Sequence, residues 1–271
     1  MKIFREFAWY VRFGWAHVRA ALGSAKANFH LGQYYLRTKS NRKNVHKAFM
    51  FYLKAANKGY APAQMQLGEL YEEGKGIDKN EQKAWLWKQK AADWYRSKAE
   101  NGDVDAQWRY ALCLMYERGV EKNPEEAVKW YTKAAEQGHA KAQTNLAYCY
   151  SEGIGTEQDR EKTIYWTQKA AEQGLATAQN NLGYYYEMGE GVEQSYEQAF
   201  FWYIKAARQG NKEAQHSVGV LYRDGKGVEQ NDETAIMWLR MAIDNGYGKA
   251  SEDIKKCKGL FFELDWCGGF D

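Results

Sequence analysis

The side chains that could do metal chemistry are few and scattered along this chain of 271 residues. Five histidines lie at positions 17, 30, 46, 139 and 216. No two of them are four residues apart, and none belongs to an HExxH motif, the spacing that places two imidazoles on one helical face around zinc. The sequence therefore predicts no metal site and no cofactor.

Two glycine-rich strings resemble phosphate-binding loops, GKGIDKN from Gly74 and GKGVEQND from Gly225. A P-loop needs Gly-Lys-Ser/Thr, because its lysine and hydroxyl hold the phosphates and the magnesium ion. Neither string has that sequence, and both recur at a regular interval, so turns are the better interpretation. No Ser/His/Asp or Cys/His arrangement is set apart from the same periodic positions. We therefore expect a non-catalytic protein without a small-molecule substrate.

The regular interval is the dominant feature of the sequence. An alanine, followed in most copies by glutamine, recurs at positions 27, 63, 106, 142, 178, 214 and 250. The interval is 36 residues except between 63 and 106, where it is 43. Six full repeats and the start of a seventh thus cover nearly the whole chain.

Each repeat has the pattern of two helices joined by a turn. In the first helix a large apolar residue, a small residue and another large residue share one face, as in Leu182, Gly183 and Tyr186. The small residue lets a neighbouring helix come close. Paired glycines then form a turn. The second helix carries an aromatic residue such as Trp202 and ends at a glycine such as Gly210, where a left-handed cap suits glycine.

These residues resemble the Sel-1-like repeat family, which is related to the tetratricopeptide repeats. The resemblance is carried by A-x-A-Q-x-x-L-G-x-x-Y, G-x-G-V and A-x-x-W-x-x-K-A-A-x-x-G. It implies an all-α fold, a right-handed superhelical solenoid of antiparallel helix pairs, and a role as adaptor or scaffold. We divide the chain into an N-terminal capping helix at 1–24, six repeats at 25–249, and a C-terminal capping helix with an aromatic tail at 250–271.

The 43-residue interval predicts an unusually long helix. Seven residues are inserted around 87–97, close to two full helical turns. The buried face is therefore kept while the helix grows by about 10 Å. No glycine or proline interrupts residues 81–100. We expect one continuous helix from about 82 to 100, the longest in the chain.

The candidate partner-binding residues lie on the first helices. Positions two, six and nine after each repeat alanine share a face about 120° from the core stripe. By resemblance to tetratricopeptide-type solenoids, this face lines a concave groove. For Trp108, Leu112 and Met115, packing against the long second helix of repeat two is an open alternative. The predicted contacts are Trp108, Leu112, Met115, Tyr148, Asn180 and Tyr184.

A basic segment suggests a second kind of partner. Residues 1–60 carry twelve lysines and arginines against one acid, whereas the net charge of the whole chain is +3. Such a segment attracts nucleic acid or an anionic membrane, and it is equally typical of a solvated capping face. The basic patch consists of Arg5, Arg12, Arg19, Arg37, Lys39, Arg42, Lys43 and Lys47.

The sequence thus favours a scaffold that holds another protein in its groove, with neutralisation of that protein, as by an immunity protein, as one form of the role. A nucleic-acid or anionic-membrane tether through residues 1–47 is the alternative, and no motif supports an enzyme. The AEQG-type repeats suggest a bacterial protein. Four cysteines, without a signal-peptide core or an apolar run long enough to span a bilayer, predict free thiols and a cytoplasmic location.

Overall fold

The computed structural model describes residues 16, 18–20, 22–38 and 42–257. This part of the chain is all-helical, and its helices follow one another in repeating pairs, which confirms the expected fold class. The residues group into two compact units, Met1–Trp130 (unit 1) and Tyr131–Asp271 (unit 2). No described helix is both long and apolar enough to cross a membrane.

Unit 1 is built from successive helices that pack on their neighbours in the chain. The helices are α1 (Ala25–Arg37), α2 (Arg42–Ala56), α3 (Ala61–Glu73), α4 (Glu81–Glu100), α5 (Val104–Met115) and the first part of α6 (Pro124–Glu136). The second helix α2 lies against α1 and α3, and α4 lies against α3 and α5.

Unit 2 follows the same scheme after the end of α6. The helices are α7 (Ala140–Glu152), α8 (Arg160–Glu172), α9 (Ala176–Met188), α10 (Tyr196–Arg208), α11 (Lys212–Asp224), α12 (Asp232–Asp244) and α13 (Ala250–Ile254). Here α8 lies between α7 and α9, α10 between α9 and α11, and α12 between α11 and α13.

Side-chain caps and left-handed glycines fix the helix ends. Asp159 precedes α8 and Ser195 precedes α10, and each accepts a hydrogen bond from the backbone N–H three residues further on. Gly189 ends α9 with a φ of 70°, which costs glycine little. At the equivalent position of repeat three, Glu117 has a φ of 53°, the one described non-glycine residue in the left-handed region.

The small residue of a first helix matches a large residue on the second helix of the same repeat. A Cβ atom on Gly183 would lie 2.7 Å from Tyr203 Cδ1, and one on Gly219 would lie 2.7 Å from Leu239 Cγ. Since packed atoms do not approach so closely, only glycine allows the helices of these pairs to meet. The predicted role of the small residue is confirmed at both positions.

A buried glutamine explains the Ala-Gln string of the repeats. Gln179 Nε2 donates to the Ala171 carbonyl at the end of α8 (3.1 Å), and Gln179 Oε1 accepts from Gln209 Nε2 after α10 (2.8 Å). One side chain thus adds a second donor to a helix-end carbonyl of the preceding repeat, which also accepts from the Gly174 N–H, and satisfies an amide of its own repeat. Gln143 and Gln215 make the equivalent hydrogen bonds.

The insertion forms the expected long helix. With 20 residues and no break, α4 is the longest described helix, as predicted. The insertion also removes one of the two hydrogen bonds that the glutamine of the repeat makes elsewhere. Gln64 Nε2 donates to the Ala56 carbonyl at 3.2 Å, but its buried Oε1 has no hydrogen-bond partner in the described part of the chain. The position thirty residues after the repeat glutamine carries Gln or Asn in repeats four to six. In this repeat it carries Trp94, which lies inside α4.

The predicted caps lie largely outside the described residues. Of the N-terminal cap, residues 16 and 18–20 are helical. The C-terminal helix is α13, whose Asp253 forms a hydrogen bond of 2.8 Å with His216 of α11. The aromatic tail at 259–271 falls outside the described residues.

Candidate protein-binding surface

Two exposed tyrosines stand at the same position of consecutive first helices in unit 2. Tyr148 on α7 and Tyr184 on α9 each follow their repeat alanine by six residues. Their surfaces are 53% and 44% exposed. Asn180 lies one helical turn before Tyr184 and is half-buried. All three predicted unit 2 residues thus retain accessible surface.

An open pocket of about 330 Å³ lies beside Tyr184. The Tyr184 hydroxyl donates to Glu190 Oε1 at 3.4 Å. Burial raises the pKa of Tyr185, and the carboxylates of Glu190 and Glu152 raise it further. These phenols and carboxylates suit the hydroxyl, amide and ammonium groups of a protein segment. The lining residues are Tyr150, Ser151, Glu152, Gln158, Asp159, Arg160, Thr163, Tyr184, Tyr185 and Glu190.

The acids of this pocket were missed by the sequence analysis. The available signal was a departure from the repeat pattern. Twelve positions after the repeat alanine, repeat five carries Glu190, whereas its neighbours carry Ile154 and Lys226. An acid that appears at this position in one repeat only therefore marks a candidate site residue in a fold that repeats.

The predicted contacts of unit 1 are less accessible than those of unit 2. Trp108 and Leu112 are half-buried, and the Arg109 guanidinium lies 5.3 Å from the centre of the Trp108 ring. Met115 is only 7% exposed, which corrects the expectation that it provides exposed apolar surface. At the equivalent repeat positions Glu72 contacts Lys88 and Glu187 contacts Tyr203, both on the second helix of the same repeat, so this position faces that helix.

Two acids on the same helical face are already hydrogen-bonded within their own repeats. Lys88 Nζ lies 2.7 Å from Glu72 Oε2, and the Tyr203 hydroxyl donates to Glu187 Oε2 at 2.7 Å. The two contacts join equivalent repeat positions, since each spans sixteen residues. These carboxylates therefore serve helix pairing before any partner binds.

The basic patch is described only in part. Arg19, Arg37, Lys43 and Lys47 are exposed. Residues 25–60 hold eight lysines and arginines and no acid. The remaining members, Arg5, Arg12 and Lys39, and the side chain of Arg42, lie outside the described residues.

The described thiols are poor nucleophiles. Burial raises the pKa of Cys113 to about 12 and that of Cys149 to about 11, so both stay protonated at neutral pH. Cys257 is likewise free and buried. Among the described residues, no group of three or more His, Cys, Asp or Glu side chains could hold a metal ion.

The repeats match a known family model. The model of the Sel1 repeat matches six consecutive segments of the chain. No curated protein shows a significant match. The matched segments are residues 25–60, 61–103, 104–139, 140–175, 176–211 and 212–247.

Solved structures with this fold come from several bacteria. A protective antigen of uropathogenic Escherichia coli with an SLR fold is 30% identical with a TM-score of 0.62, over 96% of this chain and 53% of that one. The chain therefore spans about half the length of that antigen. A Sel1 repeat protein from Oxalobacter formigenes is 26% identical with a TM-score of 0.59, over 92% and 90% of the two chains. An immunity protein from Pseudomonas aeruginosa is 22% identical with a TM-score of 0.54, over 82% and 81%.

Proposed function

The chain belongs to the Sel1 repeat family, and we propose that it is a non-catalytic scaffold that holds a partner protein against the first helices of unit 2. One observation carries the proposal: Tyr148 and Tyr184 are exposed at the same position of consecutive repeats. Tyrosine combines a large apolar ring with a hydroxyl, and it is enriched among residues that dominate binding energy.

The pocket beside Tyr184 supports the same face. Single exposed aromatic residues are common on protein surfaces, but a ring next to a polar concavity can anchor a side chain of the partner. Glu190 and Glu152 favour a partner segment with basic or hydroxyl groups. In unit 1, Leu112 occupies the repeat position of the two tyrosines and Trp108 that of Asn180, and we propose both as separate contacts.

Neutralisation of the partner is the finer form of this proposal. The Pseudomonas aeruginosa structure shows that a protein described as an immunity protein has this fold, and at 22% identity the likeness concerns the fold alone. Neutralisation is supported if the captured protein is an enzyme or toxin and its activity falls in proportion to the amount of this chain that is bound. Capture without any loss of partner activity would indicate a plain adaptor.

The double variant Tyr148→Ala/Tyr184→Ala should weaken partner binding more than tenfold. Truncation of central aromatic contacts costs about 2 kcal/mol or more at protein interfaces. The partner is first identified by affinity purification from the native host, with nuclease and high-salt washes. Dissociation constants are then measured with purified proteins by isothermal titration calorimetry.

Tyr165→Ala provides the matched control for that experiment. Tyr165 lies on the second helix α8, and its exposed fraction of 53% equals that of Tyr148. Circular dichroism should show an unchanged fold for both variants. Full affinity of the double variant, or an equal loss in the control, would contradict the assignment of the face.

A second function, polyanion binding through unit 1, rests on the charge of residues 25–60. Arg37, Lys43 and Lys47 are exposed and form no ion pair with the described residues. Four phosphate contacts to a single strand would weaken binding about fiftyfold between 50 and 200 mM salt. We expect binding to a single-stranded oligonucleotide or to anionic vesicles at low salt, lost on reversal of the three residues to Glu.

Reversal of Lys83, Lys90 and Lys98 on α4 is the control for polyanion binding. These lysines carry the same total charge and lie outside the basic segment. The control variant should keep most of the affinity. Binding that ignores salt, or the absence of binding to both probes at low salt, would remove this second function.

A further inference from the structure

The outer faces of the second helices in unit 2 carry three rows of residues. Along each helix an acid, a large apolar residue and a base follow one another at steps of three or four, so the three lie on one side of the helix. The acid row is Glu161, Glu197 and Glu233; the apolar row is Tyr165, Phe201 and Met237; the basic row is Lys169, Lys205 and Arg240. Arg240 stands one residue before the repeat position of Lys169 and Lys205, which in α12 carries Met241, 38% exposed.

The three helices that carry these rows lie side by side. Near their C-terminal ends, Gln209 Nε2 after α10 donates to the Gly174 carbonyl after α8 at 2.9 Å. Near their N-terminal ends, Gly191 packs against Arg160 of α8, and Gly227 packs against the Tyr196 backbone of α10. Equivalent ends of successive helices are thus joined through the same parts of each repeat. The rows therefore run across α8, α10 and α12.

The apolar row is exposed at every position. Tyr165, Phe201 and Met237 are 53%, 45% and 49% exposed. Acids near helix N-termini and bases near C-termini are favoured by the helix dipole, which accounts for the outer two rows. The dipole gives no reason for a large apolar side chain between them in three consecutive repeats. Aligned apolar side chains rimmed by charge are typical of an interaction site.

The order of the rows favours a second copy of the same chain as the partner of this face. In a two-fold pair the same patch is present on both partners and must complement itself. If the two-fold axis runs parallel to the rows and over the apolar row, the acid row of one copy faces the basic row of the other. The apolar rows then face each other. An axis perpendicular to the rows would place acid against acid.

We propose that two copies of this chain associate through this face, with the two-fold axis along the apolar row. Phe201 then faces Phe201 of the second copy, and Glu197 faces Lys205 twice in each pair. The pattern is specific to unit 2. In α2 and α4 of unit 1, the positions equivalent to the acid row carry His46 and Gln82, and in α6 the position equivalent to the apolar row carries Lys129.

The size of the face sets the expected strength. Each helix has 13 residues, which corresponds to a length of about 20 Å, and a helix with its side chains is about 10 Å across. The face therefore measures on the order of 500 Å² per copy, or roughly 1,000 Å² for the pair. This is the lower end of specific interfaces, so we expect a reversible dimer with a dissociation constant on the order of 10–100 µM.

Charge reversal and charge exchange test the pairing in the full chain. Lys205→Glu converts two attractive contacts into two repulsive ones, as does Glu197→Lys, and each should weaken the dimer at least tenfold. The double variant Glu197→Lys/Lys205→Glu should restore the affinity to within about threefold, because attraction returns with reversed signs. Sedimentation velocity from about 1 to about 500 µM provides the dissociation constants.

Cross-linking tests the position of the axis. Phe201→Cys should form a disulfide-linked dimer under mild oxidation, since residues on the axis come within the range of Cα separations that a disulfide allows. A Cys267→Ser background avoids a competing thiol, and the described cysteines are buried. A monomer at about 500 µM, or a dimer insensitive to Lys205→Glu, would overturn the proposal. Failure here leaves partner capture through Tyr148 and Tyr184 untouched, because that face lies on the first helices.

Discussion

Replacing Trp202 by alanine is expected to lower the free energy of unfolding by about 3–5 kcal/mol. Trp202 is 9% exposed and lies in a buried cluster with Ala178 and Leu182, where repeats four and five meet. Truncation removes the transfer free energy of the indole and leaves a cavity that the rigid helices close only in part. Urea titration followed by far-UV circular dichroism measures the loss.

The neighbouring Phe201→Ala variant is the matched control. Phe201 is 45% exposed, and the Lys205 ammonium lies 3.9 Å from its ring centre and 4.6 Å from that of Trp202. Both variants therefore lose a cation–π contact, and Trp202→Ala loses far more buried surface. Phe201→Ala should cost at most about 1 kcal/mol, measured near 1 µM, where the proposed dimer is dissociated. Equal costs would mean that burial does not govern the stability of these repeats.

The fold was predictable because its determinants are local and repeated. Apolar spacing, glycine stops and the small residue at Gly183 or Gly219 recur every 36 residues, so each helix pair is specified several times. The length of α4 followed from helical geometry alone, since seven added residues preserve the buried face. These features need no knowledge of contacts between distant residues.

The site was harder to predict because exposure depends on what each side chain meets. Met115 shares its repeat position with polar residues in repeats four and five, yet it is buried at the end of α5. Tyr186, on the predicted core stripe, is only half-buried. Periodicity assigns a helical face to each residue but does not show which neighbouring side chains cover it.

The sequence also did not predict that acids of the first helices contact residues of the second helices. Glu72 and Glu187 share a repeat position, but one meets Lys88 and the other meets Tyr203. The partners differ in chemistry, so the acid and its partner do not recur as a recognisable motif. Only the packed structure shows that both contacts connect the same two positions.

Replacing Gln179 by leucine is expected to lower the free energy of unfolding by about 1–3 kcal/mol. Leucine has nearly the same volume, so the packing is kept. Two hydrogen bonds are lost, one to the Ala171 carbonyl at the end of α8 and one from Gln209. The Ala171 carbonyl keeps the backbone hydrogen bond from the Gly174 N–H at 3.0 Å, so the cost is that of the two side-chain bonds.

Gln64→Leu is the comparison that isolates the second hydrogen bond. Gln64 is as buried as Gln179 and makes the equivalent bond to the Ala56 carbonyl, but its Oε1 is unpartnered because α4 carries the insertion. The variant loses one bond and also removes a buried oxygen that was desolvated without compensation, so we expect a cost of at most about 1 kcal/mol. Hydrogen exchange at the ends of α2 and α8 reports the two sites separately. If both variants cost the same, the bond between Gln179 and Gln209 contributes nothing, and the glutamine of each repeat acts only through the preceding carbonyl.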